Sequence, residues 1–117
     1  MILYKWGEVI LIPFPFTDLS TTKQRPALFI SSNWFNESRN DVVLAAITSH
    51  IPPKSSRDEY RLSLAEQKSA GLPKPSIVKL GKIVTIDQRL IRKKLGRVPN
   101  EMMLKINECL KEIFGYS

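Results

Sequence analysis

The residues best suited to chemistry lie in two short pieces of the chain. The first is the stretch from Gly7 to Ser32, where an apolar run, a polar loop and a second apolar run surround Arg25, fixed between Gln24 and Pro26. Arginine carries a permanent charge and a planar fork of donors that matches phosphate oxygens. The second piece is Thr48-Ser49-His50, where another apolar run ends in two hydroxyls and the only histidine. A short hydroxyl at the end of a stiff strand is a well-defined hydrogen-bonding position. A cation at a strand mouth, close to hydroxyls, is what a phosphate-handling site needs. His50 has two readings. An extended chain would set it on the face of Thr48, two residues away, where it could act as general base or acid near neutral pH. Alternatively it is an exposed polar residue entering a loop.

Other chemistries find few residues here. One histidine, one cysteine and scattered carboxylates do not make a zinc site of the usual ligand type, and no metal site or cofactor is expected. There is no glycine-rich phosphate loop or nucleotide fingerprint. A Ser/His/Asp triad would have to use His50.

The elements that must position these residues follow from local pattern. Val9 to Ile12, between Gly7 and Pro13, reads as a buried strand. Pro13 and Pro15 cannot donate to a ladder, so Phe14 to Thr22 reads as a loop, with Thr, Asp and Ser side chains that bond nearby backbone. Pro26 pushes Arg25 toward extended geometry and marks the start of the second strand, Ala27 to Ile30. Ser31 to Asp41 reads as a polar loop, with Trp34 and Phe35 expected to cover the core as a lid rather than stack on nucleic acid. Val42 to Thr48 is a third strand whose small central residues imply close packing against a neighbour. His50 to Glu59 reads as a mobile loop. Tyr60 to Leu64 alternates as a half-exposed strand, and Ala65 to Ala70 is a short helical turn or loop closed by Gly71. Ser76 to Leu80 and Lys82 to Ile86 read as two strands separated by Gly81. Asp87 to Leu90 turns the chain, and Ile91 to Val98 is a basic strand or irregular segment. The chain then enters one amphipathic helix, with Asn100 as N-cap, Glu101 in the first turn and Gly115 at the end. Met103, Ile106, Leu110, Ile113 and Phe114 form its predicted apolar stripe, and Cys109 beside it reads as an inert packed thiol. Six or seven short strands and one clear helix predict a mostly β fold, a small bent barrel with a C-terminal helix.

Bulk properties set the bounds. At 117 residues the chain has room for a single domain, and its 43% hydrophobic and 25% charged shares are ordinary for a globular protein. No signal peptide and no membrane span are expected, and a single cysteine fits a reducing, cytoplasmic compartment. The net charge of +7 is unevenly placed. Residues 1–60 balance at six basic and six acidic side chains, whereas residues 61–117 carry twelve against five. Arg89, Arg92, Lys93, Lys94 and Arg97 form the densest run, a field that draws polyanions such as RNA, DNA or an acidic protein.

Three runs in order resemble the MazF/PemK family of toxin endoribonucleases. WGEVILIPFPFTDLSTTKQRPALFIS is similar to the family's first signature, a strand opening with Gly and an acid, a loop, then Arg-Pro and a strand. DVVLAAITSH is similar to the second, an apolar strand ending in Thr-Ser. PSIVKLGKIVTIDQRLIRKKLGRV, followed by the amphipathic helix, is similar to the third. The resemblance spans nearly the whole chain. It implies an SH3-like barrel, a homodimer, metal-independent and sequence-specific cleavage of single-stranded RNA, and a neutralising antitoxin with an acidic, partly disordered segment. Matched to the family motif, Arg25 and Thr48 become the catalytic pair, with His50 as a further candidate. Phe16, Thr22, Lys23, Gln24, Ser49 and Lys79 become candidate substrate-binding residues. Some members carry a glycine-rich first loop where this chain has Pro-Phe-Pro-Phe, so the cleaved sequence does not transfer. Phe16 either stacks on a base or packs beneath the loop. A gyrase poison of related fold and a non-catalytic nucleic-acid-binding barrel are the alternatives.

Overall fold

The computed structural model of the chain describes residues 4–13 and 23–116. Six strands form one sheet: β1 (Glu8–Pro13), β2 (Gln24–Phe29), β3 (Asp41–Thr48), β4 (Glu59–Arg61), β5 (Ile77–Asp87) and β6 (Lys93–Arg97). Their order is β4-β5-β3-β2-β1-β6, and every neighbouring pair is antiparallel. Three helices join them: α1 (Asn33–Ser38), α2 (Leu64–Ser69) and α3 (Asn100–Phe114). The mostly β architecture with a C-terminal helix is the one the sequence pattern predicts. Among the described residues no helix is long and apolar enough to cross a membrane.

The pleat sends alternate residues to opposite faces, and each face builds its own core. Val9, Leu28, Ala45, Ile47, Val78 and Leu80 point one way and are covered by Met102, Met103 and Ile106 of α3. Ile10, Ile12, Ala27, Phe29, Val42 and Leu44 point the other way and are joined by Ile86 and Ile91. Two register shifts bend the sheet, between Val9 and Ile10 against β6 and between Ala45 and Ala46 against β5. The second is the larger. Ala45 pairs with Ile83 but Ala46 pairs with Lys79, so Leu80, Gly81 and Lys82 have no partner on β3.

Several local expectations are corrected. β2 begins at Gln24, two residues before Pro26. Pro26 pairs with Leu11 of β1 but lies outside the ladder to β3, which covers Ala27 to Phe29, so its missing N–H interrupts nothing on that side. The region read as a polar loop contains α1. Its sequence has no apolar period, and tertiary contacts select the helix. Asn36 is buried and accepts from the Ser31 hydroxyl, while its amide donates to the Ser31 carbonyl at 3.1 Å. The Gln88 side chain, from a single 3-10 turn, donates to the Asn36 carbonyl at 2.9 Å. Trp34 does not cover the core, since it is 70% exposed. It meets Phe35 edge-on, and Arg39 lies over the Phe35 ring. The two strands expected around Gly81 are one continuous β5 carrying the bulge.

β4 ends at Arg61, and Leu64 opens α2 instead of continuing the strand, because Ser63 and Glu66 form a reciprocal capping box. Tyr60 donates to Glu66 at 2.9 Å, and burial together with that partner pushes its phenol up to about 12. The N-cap of α3 is Pro99, whose carbonyl accepts from Met102 and Met103, and Asn100 is the first helical residue. Its buried stripe is Met102, Met103 and Ile106, with Cys109 and Leu110 partly covered. Ile113 and Phe114 are exposed, because the helix has run past the sheet by its last turn. Cys109 donates to the Arg57 carbonyl, and burial followed by nearby carboxylates holds its thiol above the usual range, in keeping with an inert group.

Gly71 ties α2 to β6. It sits at φ +73, and a Cβ there would lie 2.0 Å from the Leu95 carbonyl oxygen. Gly71→Ala should cost about 2–4 kcal/mol from left-handed strain and overpacking together. Urea denaturation measures it, and an unchanged midpoint would show that this contact has room to relax.

Candidate active-site cleft

The site is built by register. Ile10 lies opposite Ala27 and Ile12 opposite Arg25 on β1 and β2, while Ala27 lies opposite Ala46 on β2 and β3. Carrying that register two residues past the ladder brings Arg25 level with Thr48. Residues opposite one another share a face, so Ile12, Arg25, Ala46 and Thr48 all point to the face away from α3. Lys79 pairs with Ala46 from the other side and joins them.

These residues line a cleft of ≈ 350 Å³. Ile12, Pro26, Ala46 and Ile47 form its apolar part, and Arg25, Thr48, Ser49, His50, Lys79 and Lys82 its polar rim. Among the described residues the lining contains the cations Arg25, Lys79 and Lys82 and no carboxylate. An apolar floor under a cationic rim strengthens attraction for an anion, because field lines are less screened there than in open water.

The turn after β3 sets the Thr48 hydroxyl. The His50 backbone N–H donates to Thr48 Oγ1 at 3.1 Å. That bond occupies an acceptor position on the oxygen and leaves the hydroxyl proton for a partner in the cleft. It also turns the chain out of strand geometry, so His50 reaches the cleft through a turn and not along an extended strand. Its ring is exposed. Lys79 pairs with Glu59, whose side chain is only 11% exposed, at 3.8 Å. The ammonium is thereby held from the side while still reaching the cleft.

Five of the nine sequence-predicted site residues, Arg25, Thr48, Ser49, His50 and Lys79, therefore meet at one place. Lys23 and Gln24 are exposed at the mouth of β2 and do not line the cleft. Phe16 and Thr22 lie outside the described residues. Lys82 lines the cleft and was missed. The signal for it was present: an isolated glycine within a strand pattern marks a bulge as readily as a break, and a bulge at Gly81 would have turned Lys82 toward Lys79. Among the described residues no group of three or more His, Cys, Asp or Glu could hold a metal ion.

Residues 5–114 match the family model of PemK-like, MazF-like toxins of type II toxin–antitoxin systems. The chain belongs to this family. It is 30% identical over 92 residues to endoribonuclease MazF6 of Mycobacterium tuberculosis (strain ATCC 25618 / H37Rv), a match covering 78% of each chain. Endoribonuclease MazF2 of Mycobacterium bovis matches to the same extent. Among solved structures, a MazE–MazF crystal structure from Deinococcus radiodurans superposes with a TM-score of 0.79 at 19% identity, covering 99% of this chain and 100% of that one. A mycobacterial endoribonuclease in complex with its cognate antitoxin gives 0.78 at 21% identity, covering 97% of each. These likenesses establish the MazF fold for the whole described sheet and for α3.

Arg25 is exposed and lies outside both cores. Arg25→Ala should change unfolding free energy by no more than about 0.5 kcal/mol, the range of ordinary surface changes. A larger loss in urea denaturation would make Arg25 a structural residue of the MazF-like fold.

Proposed function

We propose that this chain is the toxin of a type II toxin–antitoxin pair and an endoribonuclease that cuts single-stranded RNA at specific sequences in the cytoplasm, working as a homodimer. The observation that carries the reading is the cleft itself, where Arg25 and Thr48 face one space whose described lining holds cations and no carboxylate. Family membership and relatives named endoribonucleases support it. The antitoxin-bound mycobacterial relative supports a proteinaceous partner. An acidic segment of such a partner would be drawn to the same positive surface as RNA.

RNA brings its own nucleophile, the 2′-OH. The enzyme must place that hydroxyl in line, stabilise the charge gathering on the phosphoryl oxygens, and let the 5′-oxygen leave. In our scheme the 2′-oxygen bonds to the adjacent phosphorus and the bond from phosphorus to the 5′-oxygen breaks. The products are a 2′,3′-cyclic phosphate and a 5′-hydroxyl. Arg25 meets the developing charge with its guanidinium fork. The Thr48 hydroxyl donates its remaining proton to a phosphoryl oxygen. His50 or a water takes the proton from the 2′-OH, and a proton returns to the 5′-oxygen. Ser49 and Lys79 bind the substrate, Lys23 and Gln24 extend that contact from the mouth of β2, and Phe16 and Thr22 are further substrate-binding residues.

Cleavage should therefore proceed in excess EDTA and give cyclic phosphate ends, read by mass spectrometry of the products. An RNA with 2′-O-methyl at the cut position should bind and survive. Loss of activity in EDTA, or normal cutting of the methylated RNA, would replace this scheme with a metal-dependent one. RNA retarded on a gel but left intact would identify a non-catalytic binder instead, and RNA neither bound nor cut would favour a gyrase poison.

Arg25→Ala should lower the cleavage rate by about 10²–10³, the usual loss for one donor aimed at a transition-state charge. Single-turnover assays on a folded variant measure this, and wild-type rates would remove Arg25 from the chemistry.

A further inference from the structure

The bulge in β5 places a cation that the proposed chemistry does not use. Lys79 and Lys82 flank the three-residue shift against β3, and both line the cleft. The intervening residues are anchored elsewhere. Leu80 is fully buried on the α3 side, and its N–H donates to the Asp58 carbonyl at 2.8 Å. A Cβ on Gly81 would lie 2.8 Å from the Asp58 carboxylate, so the chain passes close to the end of that side chain here. With Leu80 drawn inward and Gly81 pressed on Asp58, Lys82 turns out toward the cleft.

The two lysines differ in what holds them. Lys79 is tied to Glu59 at 3.8 Å. Lys82 is exposed and has no hydrogen bond or ion pair among the described residues. Asp58 and Glu59 stand on its other side, in a second pocket that Lys79 and Lys82 also line. Neither pairs with Lys82, and an ammonium without an ion-pair partner among the described residues attracts the next anion along a bound polyanion. It is also a compact point charge, suited to holding a phosphate without fixing its orientation.

We propose that Lys82 binds the RNA phosphodiester next to the one that is cut, contributing affinity and register rather than chemistry. This rests on the ribonuclease reading above. The role belongs to the bulge: an unbroken β5 ladder would give Lys82 a strand partner and a different direction.

The test measures binding of a short mixed-sequence 2′-O-methyl RNA as a function of salt for wild type, Lys82→Gln and Lys82→Arg. Removing one phosphate contact from a single strand lowers the slope of log K against log salt by about 0.7. Lys82→Gln should show that drop, and its affinity deficit should shrink about two- to threefold between 50 and 200 mM salt. Lys82→Arg should keep the wild-type slope. On cleavable RNA the Lys82→Gln loss should fall on KM and not on kcat. An unchanged slope for Lys82→Gln, or an equal drop for Lys82→Arg, overturns the inference. Failure of the wild-type protein to cut unmodified RNA would instead remove the ribonuclease reading, while the binding slopes would still decide whether Lys82 holds a phosphate.

Discussion

The pairing of Ala27 with Ala46 is the constraint on which the rest of the site depends. Both side chains stop at Cβ, so two central strands meet with nothing bulky between them on that face. The ladder between β2 and β3 is short, only Ala27 to Phe29 against Leu44 to Ala46, yet it sets the register of everything beyond it. Two residues outward on each strand stand Arg25 and Thr48. A one-residue slip of β2 would turn Arg25 to the opposite face, where the core beneath α3 would have to accept a guanidinium. Burial of Leu28, Ala45 and Ile47 on that opposite face is what forbids the slip.

A working cleft needs its polar groups at the end of a rigid element and its floor dry. Both come from the same alternation. The face that is a closed hydrophobic cluster around Phe29, Leu44 and Ile86 continues outward into Ile12 and Ala46, and only its last positions become polar. The cations are thus supported by packed strands and are not carried on free loops. Glu59 and the His50 N–H then steady Lys79 and Thr48 from behind.

Much of this was legible in the residues. The apolar runs at Val9, Ala27 and Val42 fixed three central strands, and the small residues of β3 pointed to the close approach now seen at Ala46. Arg25 and the Thr48-Ser49-His50 group stood out as polar groups at strand ends. What was hidden depended on distant contacts. α1 forms because Asn36 finds Ser31 and Gln88 finds the Asn36 carbonyl, contacts that no local pattern encodes. The helical period of α3 continues to Phe114, but the sheet beneath it does not, so periodicity overstated the buried stripe. Gly81 looked like punctuation between two strands. It lies inside one strand, next to Leu80, whose N–H donates to the carbonyl of Asp58, remote in sequence.

Among the described residues the sheet is open, and an open sheet presents two rows of unpaired backbone groups to any other chain. Its outermost strands meet that hazard in different ways. β4 is only three residues long, too short to template a partner strand. β6 is longer, but it carries Lys93, Lys94 and Arg97, and its pairing with β1 is broken by a register shift. Lys94 is held by Glu8 at 2.8 Å, but stacking two copies edge to edge along β6 would bring Lys93 and Arg97 close to their copies and desolvate them. The basic run therefore guards this edge against pairing with a second copy of the chain.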